Sequence, residues 1–218
     1  MTTTVKSVNS ISESAVRAAL ASAILFLVLL AALIVLKPEI DPAWRFISEY
    51  AIGRLGWMMS LAFLAMAASC VATVIALWSQ LGVGGRIGIV FMLIGALGLT
   101  LAALFTTDQI TTPLDAQSTS SQIHGLGAIL GDGIPIGATI ITLSLIRNKS
   151  WRAARGWLIG ILAVVWIVYA WLIMSMPADG NFGPDVPVGW PSRMLLVSYC
   201  LWFIVTAWQA LRLRRQIT

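Results

Sequence analysis

Apolar residues run along the chain in six long blocks, roughly 17–36, 57–79, 86–106, 123–146, 155–176 and 193–212, with short polar stretches between them. Each block is close to the about 20 residues an α-helix needs to cross a hydrocarbon core about 30 Å thick. The pattern predicts an all-α fold, a polytopic membrane protein built as a six-transmembrane-helix bundle. The first block is longer than the apolar region of a cleavable signal, so it is read as a membrane span. No Ser/Gly-rich or Pro-rich linker interrupts the series, which predicts one transmembrane domain over 17–212. A polar N-terminal tail is expected at 1–16 and a basic C-terminus at 213–218. Glu13 and Arg17 stand four residues apart, the spacing of an ion pair on a helix surface.

Composition agrees with the pattern. Charged residues make up 11% of the chain and hydrophobic residues 59%, against about 25% charged in soluble domains. The net charge of +5 does not point to nucleic acid, because the basic residues flank the apolar blocks and form no patch with interleaved aromatics. They are topology signals instead. Counted on alternate sides, ten Lys and Arg lie with the termini and the 79–86 and 147–155 turns, and four lie opposite, at Lys37, Arg45, Arg54 and Arg193. The positive-inside rule then predicts an N-in/C-in protein of the plasma membrane with both termini cytoplasmic. Trp44, Trp57, Trp78, Trp151, Trp157, Trp190 and Trp208 fall near the predicted interfaces, as an aromatic belt requires, while Trp166, Trp171 and Trp202 fall deeper. Cys70 and Cys200 sit inside apolar blocks and are read as inert thiols.

The fourth block is unusual in its glycines. Gly127-xxx-Gly131 and Gly133-xxx-Gly137 both let helix backbones approach closely, and the third block carries Gly88, Gly95 and Gly98. The third and fourth helices are therefore expected in contact at the centre of the bundle, with a kink near Pro135. Asp132 lies among these glycines, about 12 Å along the helix from His124. An acid near the bilayer middle must face the bundle interior, be neutral, or both.

Four polar positions fall at one membrane level: Ser48-Glu49 in the first loop, Asp108 at the end of the third helix, His124 at the start of the fourth and Arg193 at the start of the sixth. His124 with Asp108 or Glu49 has the residue types of an acid/base unit, and Ser48 adds a nucleophile of the hydrolytic kind. No GxSxG elbow surrounds Ser48. The same histidine and two carboxylates are an alternative donor set for a divalent metal, although zinc usually takes more nitrogen or sulfur, and no HExxH is present. No other cofactor is expected. Arg193 is expected either to pair with Asp108, Glu49 or Asp185, or to hold an anionic headgroup in its planar fork.

Taken together, Ile47-Ser48-Glu49-Tyr50, Gly53, Gly56-Trp57, Phe105-Thr-Thr-Asp108, Ile123-His124-Gly125 and Gly189-Trp-Pro-Ser-Arg193 resemble the DUF 998 family of integral membrane proteins of unknown function. The resemblance spans about residues 18–212. It implies no activity, but it implies that Glu49, Asp108, His124 and Arg193 occupy characteristic polar positions of that family. Asp132 falls outside the resemblance.

Three functions are then open. The first is an outward-facing polar pocket, framed by the second, third, fourth and sixth helices, that binds a lipid headgroup or small molecule through Arg193, Glu49, Asp108 and His124. The second is a membrane hydrolase with His124, Asp108, Glu49 and Ser48 as its catalytic set or with a metal-held water. The third is a proton-coupled transporter using Asp132. Membrane lipids are the expected partners.

Overall fold

The computed structural model describes residues 11–215. Among these the regular structure is helical, with α1 at Glu13–Leu36, α2 at Gly56–Leu77, α3 at Val83–Leu104, α4 at Thr119–Gly131, α5 at Gly133–Leu145, α6 at Arg155–Met174 and α7 at Gly189–Arg215. Helices α4 and α5 together form one span, so six spans are long and apolar enough to cross a membrane, as the hydrophobic pattern predicts. Because six is even, both ends of the described chain lie on one side, where Arg214 donates to the Ile11 carbonyl at 2.7 Å and lies 3.6 Å from Glu13. The opposite end of the bundle is its distal end.

Boundaries follow local chemistry. Ser12 caps α1, its hydroxyl accepting from the Ala15 amide at 3.4 Å, and Glu13 pairs with Arg17 at 2.6 Å, so helix begins inside the stretch read as a tail. At the other end α7 continues through Arg215, past the expected boundary at 212; residues 1–10 and 216–218 lie outside the described part.

The fourth span breaks at Asp132, which closes α4 and opens α5. The kink expected near Pro135 falls at this break, three residues before the proline. Pro135 has no N–H for the Gly131 carbonyl and its ring crowds that oxygen, so the turn before it gives way.

The spans pack as a ring in chain order. Helix α1 lies against α2 and α7, α2 against α3, α3 against both α4 and α5, and α6 against α7. At the centre the α3 seam with α4 and α5 is backbone on backbone. A β-carbon on Gly98 would stand 2.4 Å from the Gly127 carbonyl oxygen, and one on Gly137 would stand 2.8 Å from that of Gly88. The glycine patterns of the two spans thus meet as expected.

Helix α6 is the least embedded span, with only Leu158 and Val165 of its residues buried. It touches α5 on the side of the termini, where the Trp166 indole donates to the Thr139 hydroxyl at 2.9 Å. Towards the distal end α4 rests mainly on α3. The ring is therefore closed in one half and parted between α4 and α6 in the other. Trp202 packs inside the bundle, its indole donating to Thr142 at 3.0 Å. Trp151 lies in the turn between α5 and α6 and is fully buried within the protein.

Candidate functional site

The distal end carries a cap built from the first loop, the exit of α3, the entry of α4 and the start of α7. Glu49 is its centre. It sits in a short 3₁₀ turn, Ile47–Ala51, is 1% exposed, and takes Arg45 in a salt bridge at 2.7 Å. Its carboxylate also accepts the Phe46 amide at 3.0 Å and, from the far side of the cap, the Ile110 amide at 2.9 Å. Lys37 performs a similar service at the end of α1, donating to the carbonyls of Tyr50 and Ile52. Burial pulls its ammonium below the usual lysine range.

Arg193 is wholly buried, and none of the expected carboxylates meets it. One guanidinium nitrogen donates to the Arg45 carbonyl at 2.7 Å and the Gly189 carbonyl at 2.9 Å, and the group lies 4.9 Å from the centre of the Tyr50 ring. It ties the start of α7 to the first loop through backbone oxygens and an aromatic face. Among the described residues its Nε and Nη2 have no hydrogen-bond partner. Ser192 adds a second tie, its hydroxyl accepting from the Ile47 amide at 3.3 Å.

Asp108 acts on the α3–α4 loop. Its carboxylate accepts the Ser118 amide at 2.6 Å and the Ser118 hydroxyl at 3.0 Å, while its own amide donates to Ser121 at 3.1 Å. His124 meets neither acid. Its Nδ1 bonds the Phe105 carbonyl at 2.8 Å, and the ring stands edge-on to Phe63 with centroids 6.1 Å apart. The four polar residues thus gather in one cap, yet each is engaged by its own backbone or side-chain partners. Among the described residues no group of three His, Cys, Asp or Glu stands close enough to hold a metal ion.

The glycines of the same segments have steric reasons. Gly53 has φ +70°, in the left-handed region that favours glycine. A β-carbon on Gly189 would meet the Pro42 carbonyl oxygen at 2.3 Å, so only glycine lets α7 start against the first loop.

Under this cap lies a cavity of about 390 Å³, whose roof includes Ser48, Thr107, His124 and Ser192. Its walls are apolar, from Phe63 on α2 and Leu99 and Ala102 on α3 to Leu172 on α6 and Leu195 on α7. Its floor holds Asp132, Tyr169 and Tyr199. The floor lies about 12 Å from His124 along α4, so the two residues border one space at different depths. The Tyr169 hydroxyl faces the Asp132 carboxylate. Tyr199 is 4% exposed and its hydroxyl has no hydrogen-bond partner among the described residues.

Ile129 of α4 and Ile173 of α6 mark the mouth. Both line the cavity, yet they are 68% and 52% exposed on the outer surface of the bundle. The cavity therefore opens sideways through the gap between α4 and α6. Sequence reasoning missed α6 as a wall. The available signal was Tyr169, the one hydroxyl-bearing aromatic in that span.

Six apolar spans, five of which line a laterally parted cavity, make this a multi-pass α-helical membrane protein. The chain belongs to the family described as Protein of unknown function (DUF998), which it matches over residues 20–209. Neither the comparison with curated proteins nor that with solved structures returned a match.

Proposed function

We propose that this protein binds a small amphiphile, a lipid or a lipid-like molecule, in the cavity beneath the distal cap. The observation that carries this reading is the mouth at Ile129 and Ile173, where an apolar cavity with polar groups at both ends opens onto the lipid-facing surface. A volume near 390 Å³ is at the lower end of small-molecule sites. It suits one chain or one compact molecule.

Gly131 provides the test. It lines the cavity and a β-carbon there would meet nothing within 4 Å, so a side chain can start there unobstructed, and Gly131→Phe is the substitution that introduces a ring at the cavity wall. In wild-type protein, single-chain amphiphiles are expected to raise the thermal midpoint in a saturable way. Gly131→Phe is expected to weaken that effect by about tenfold in apparent affinity while leaving the unliganded midpoint near wild type. An equal ligand-induced shift in both proteins would rule the cavity out.

The hydrolase reading has less support. A histidine base is usually oriented by a carboxylate, whereas Glu49 and Asp108 are taken up by Arg45, Ser118 and backbone amides. A transporter using Asp132 needs a path beyond the cavity floor, and Ile134, Ile141 and Leu145 fill that region.

The basic residues favour a plasma-membrane protein with the termini in the cytoplasm, since ten of the fourteen Lys and Arg lie on that side. A C-terminal fluorescent-protein fusion is expected to be bright and a C-terminal alkaline phosphatase fusion inactive. Active phosphatase would reverse the assignment and turn the cap inward.

A further inference from the structure

We infer that the cavity floor formed by Asp132, Tyr169 and Tyr199 seats the protonated amine of an amphiphilic ligand. This inference rests on the amphiphile-binding reading and names the chemistry of the ligand's polar end.

Charge is the first argument. Among the described residues no Lys or Arg lines the cavity, and Asp132 is the one acidic residue that does. Arg193, the cation closest in sequence to that space, is turned into the cap and bonded to the Arg45 and Gly189 carbonyls. A phosphate or carboxylate would therefore enter a low-dielectric space with an acid and no counter-charge, which is costly. An ammonium group brings the counter-charge that Asp132 lacks, because none of the salt bridges among the described residues includes Asp132.

Unused hydrogen-bonding capacity is the second argument. A buried hydroxyl without a partner costs about 1–3 kcal/mol, and the Tyr199 hydroxyl, on a side chain that lines the cavity floor, has none among the described residues. An ammonium has three donors and no acceptor. The Asp132 carboxylate and the Tyr169 and Tyr199 oxygens offer three acceptor groups, and the two tyrosine rings offer faces that attract a cation. The break at Gly131-Asp132-Gly133 contributes by placing the carboxylate at the end of α4.

The remaining geometry sets the rest of the ligand. From the floor to the His124 level the walls are apolar over about 12 Å, which accommodates an alkyl or similar apolar body. The mouth between Ile129 and Ile173 lets that body enter from the bilayer.

The experiment uses the full chain in phosphatidylcholine nanodiscs, with empty discs as background, and measures saturation binding of radiolabelled decylamine near neutral pH. Decyl phosphate and decanol are competitors of matched chain length. Decylamine is expected to bind saturably, with decyl phosphate and decanol competing at least about tenfold more weakly, the scale of one charge-assisted hydrogen bond. Asp132→Asn is expected to weaken decylamine about tenfold and to leave decanol unchanged, and Tyr199→Phe to weaken decylamine a few-fold. If the three headgroups compete equally in wild-type protein, the amine preference is overturned while the cavity reading stands. If none of the three binds saturably, both fall. The wild-type headgroup comparison decides the matter even where Asp132→Asn folds poorly.

Discussion

Glu49→Ala is expected to lower the stability of the folded protein by about 3 kcal/mol, the lower end of the range for removing one member of a buried ion pair. The carboxylate is 1% exposed and receives Arg45 together with the Phe46 and Ile110 amides. Alanine leaves those two amides without their acceptor and the Arg45 guanidinium, largely shielded from water, without its counter-charge. Membrane domains share the marginal stability of folded proteins in general, about 5–15 kcal/mol, so the loss should appear as a lower thermal midpoint and a smaller monodisperse fraction after detergent extraction. Glu49→Gln keeps an acceptor of the same shape and should lose about half as much. Arg45→Met combined with Glu49→Gln should recover part of the deficit, because no buried charge is then left alone. A Glu49→Ala protein as stable as wild type would remove Glu49 from the cap's structural core. It would return the residue to candidacy as a ligand-binding group, since residues held for function often stabilise when replaced.

The cap separates what the sequence discloses from what it conceals. Spacing and polarity bring Glu49, Asp108, His124 and Arg193 to one membrane level, and the fold does gather them at one end. They were expected to face one another, but each faces the backbone. The first loop and the α3–α4 loop carry many amides and carbonyls outside any helix, and in a mostly apolar protein those groups need internal partners. Arg193 bonded to Arg45 and Gly189 carbonyls, and Asp108 bonded to the Ser118 amide, answer that need. Side-chain identity alone does not tell a residue that binds a ligand from one that satisfies a loop. The spans were legible because bilayer thickness fixes their length, and the glycine seam because its spacing repeats with the helix. The cavity was not, because it arises where α4 and α6 part, a distance between elements remote in sequence. Asp132 was visible as an anomaly. Its neighbours Tyr169 and Tyr199 looked like ordinary members of apolar helices.

Gly98→Ala and Gly131→Ala are expected to move stability in opposite directions, although both glycines belong to small-residue patterns on contacting spans. On intrinsic helix preference, alanine is favoured over glycine by up to about 1 kcal/mol in a helix interior. At Gly98 that gain is overwhelmed. The new carbon would lie 2.4 Å from the Gly127 carbonyl oxygen and 2.6 Å from the Gly131 amide nitrogen, so two backbones rather than a flexible side chain must separate. Overpacking of this kind costs about 1–3 kcal/mol and more where the main chain must move. The effect should spread, because α3 is the surface on which both α4 and α5 rest. At Gly131 the added carbon meets nothing within 4 Å, so alanine should be neutral or mildly stabilising, the gain limited by its place at the end of α4. Unfolding in mixed micelles with increasing dodecyl sulfate should therefore place Gly98→Ala roughly 2–4 kcal/mol below Gly131→Ala. Gly127→Ala, whose carbon would stand 2.7 Å from the Gly98 carbonyl oxygen, should fall with Gly98→Ala. Equal stabilities for Gly127→Ala and Gly131→Ala would mean that the seam does not pack backbone to backbone at Gly127. Gly131 would then have no special standing as the position from which the cavity can be filled.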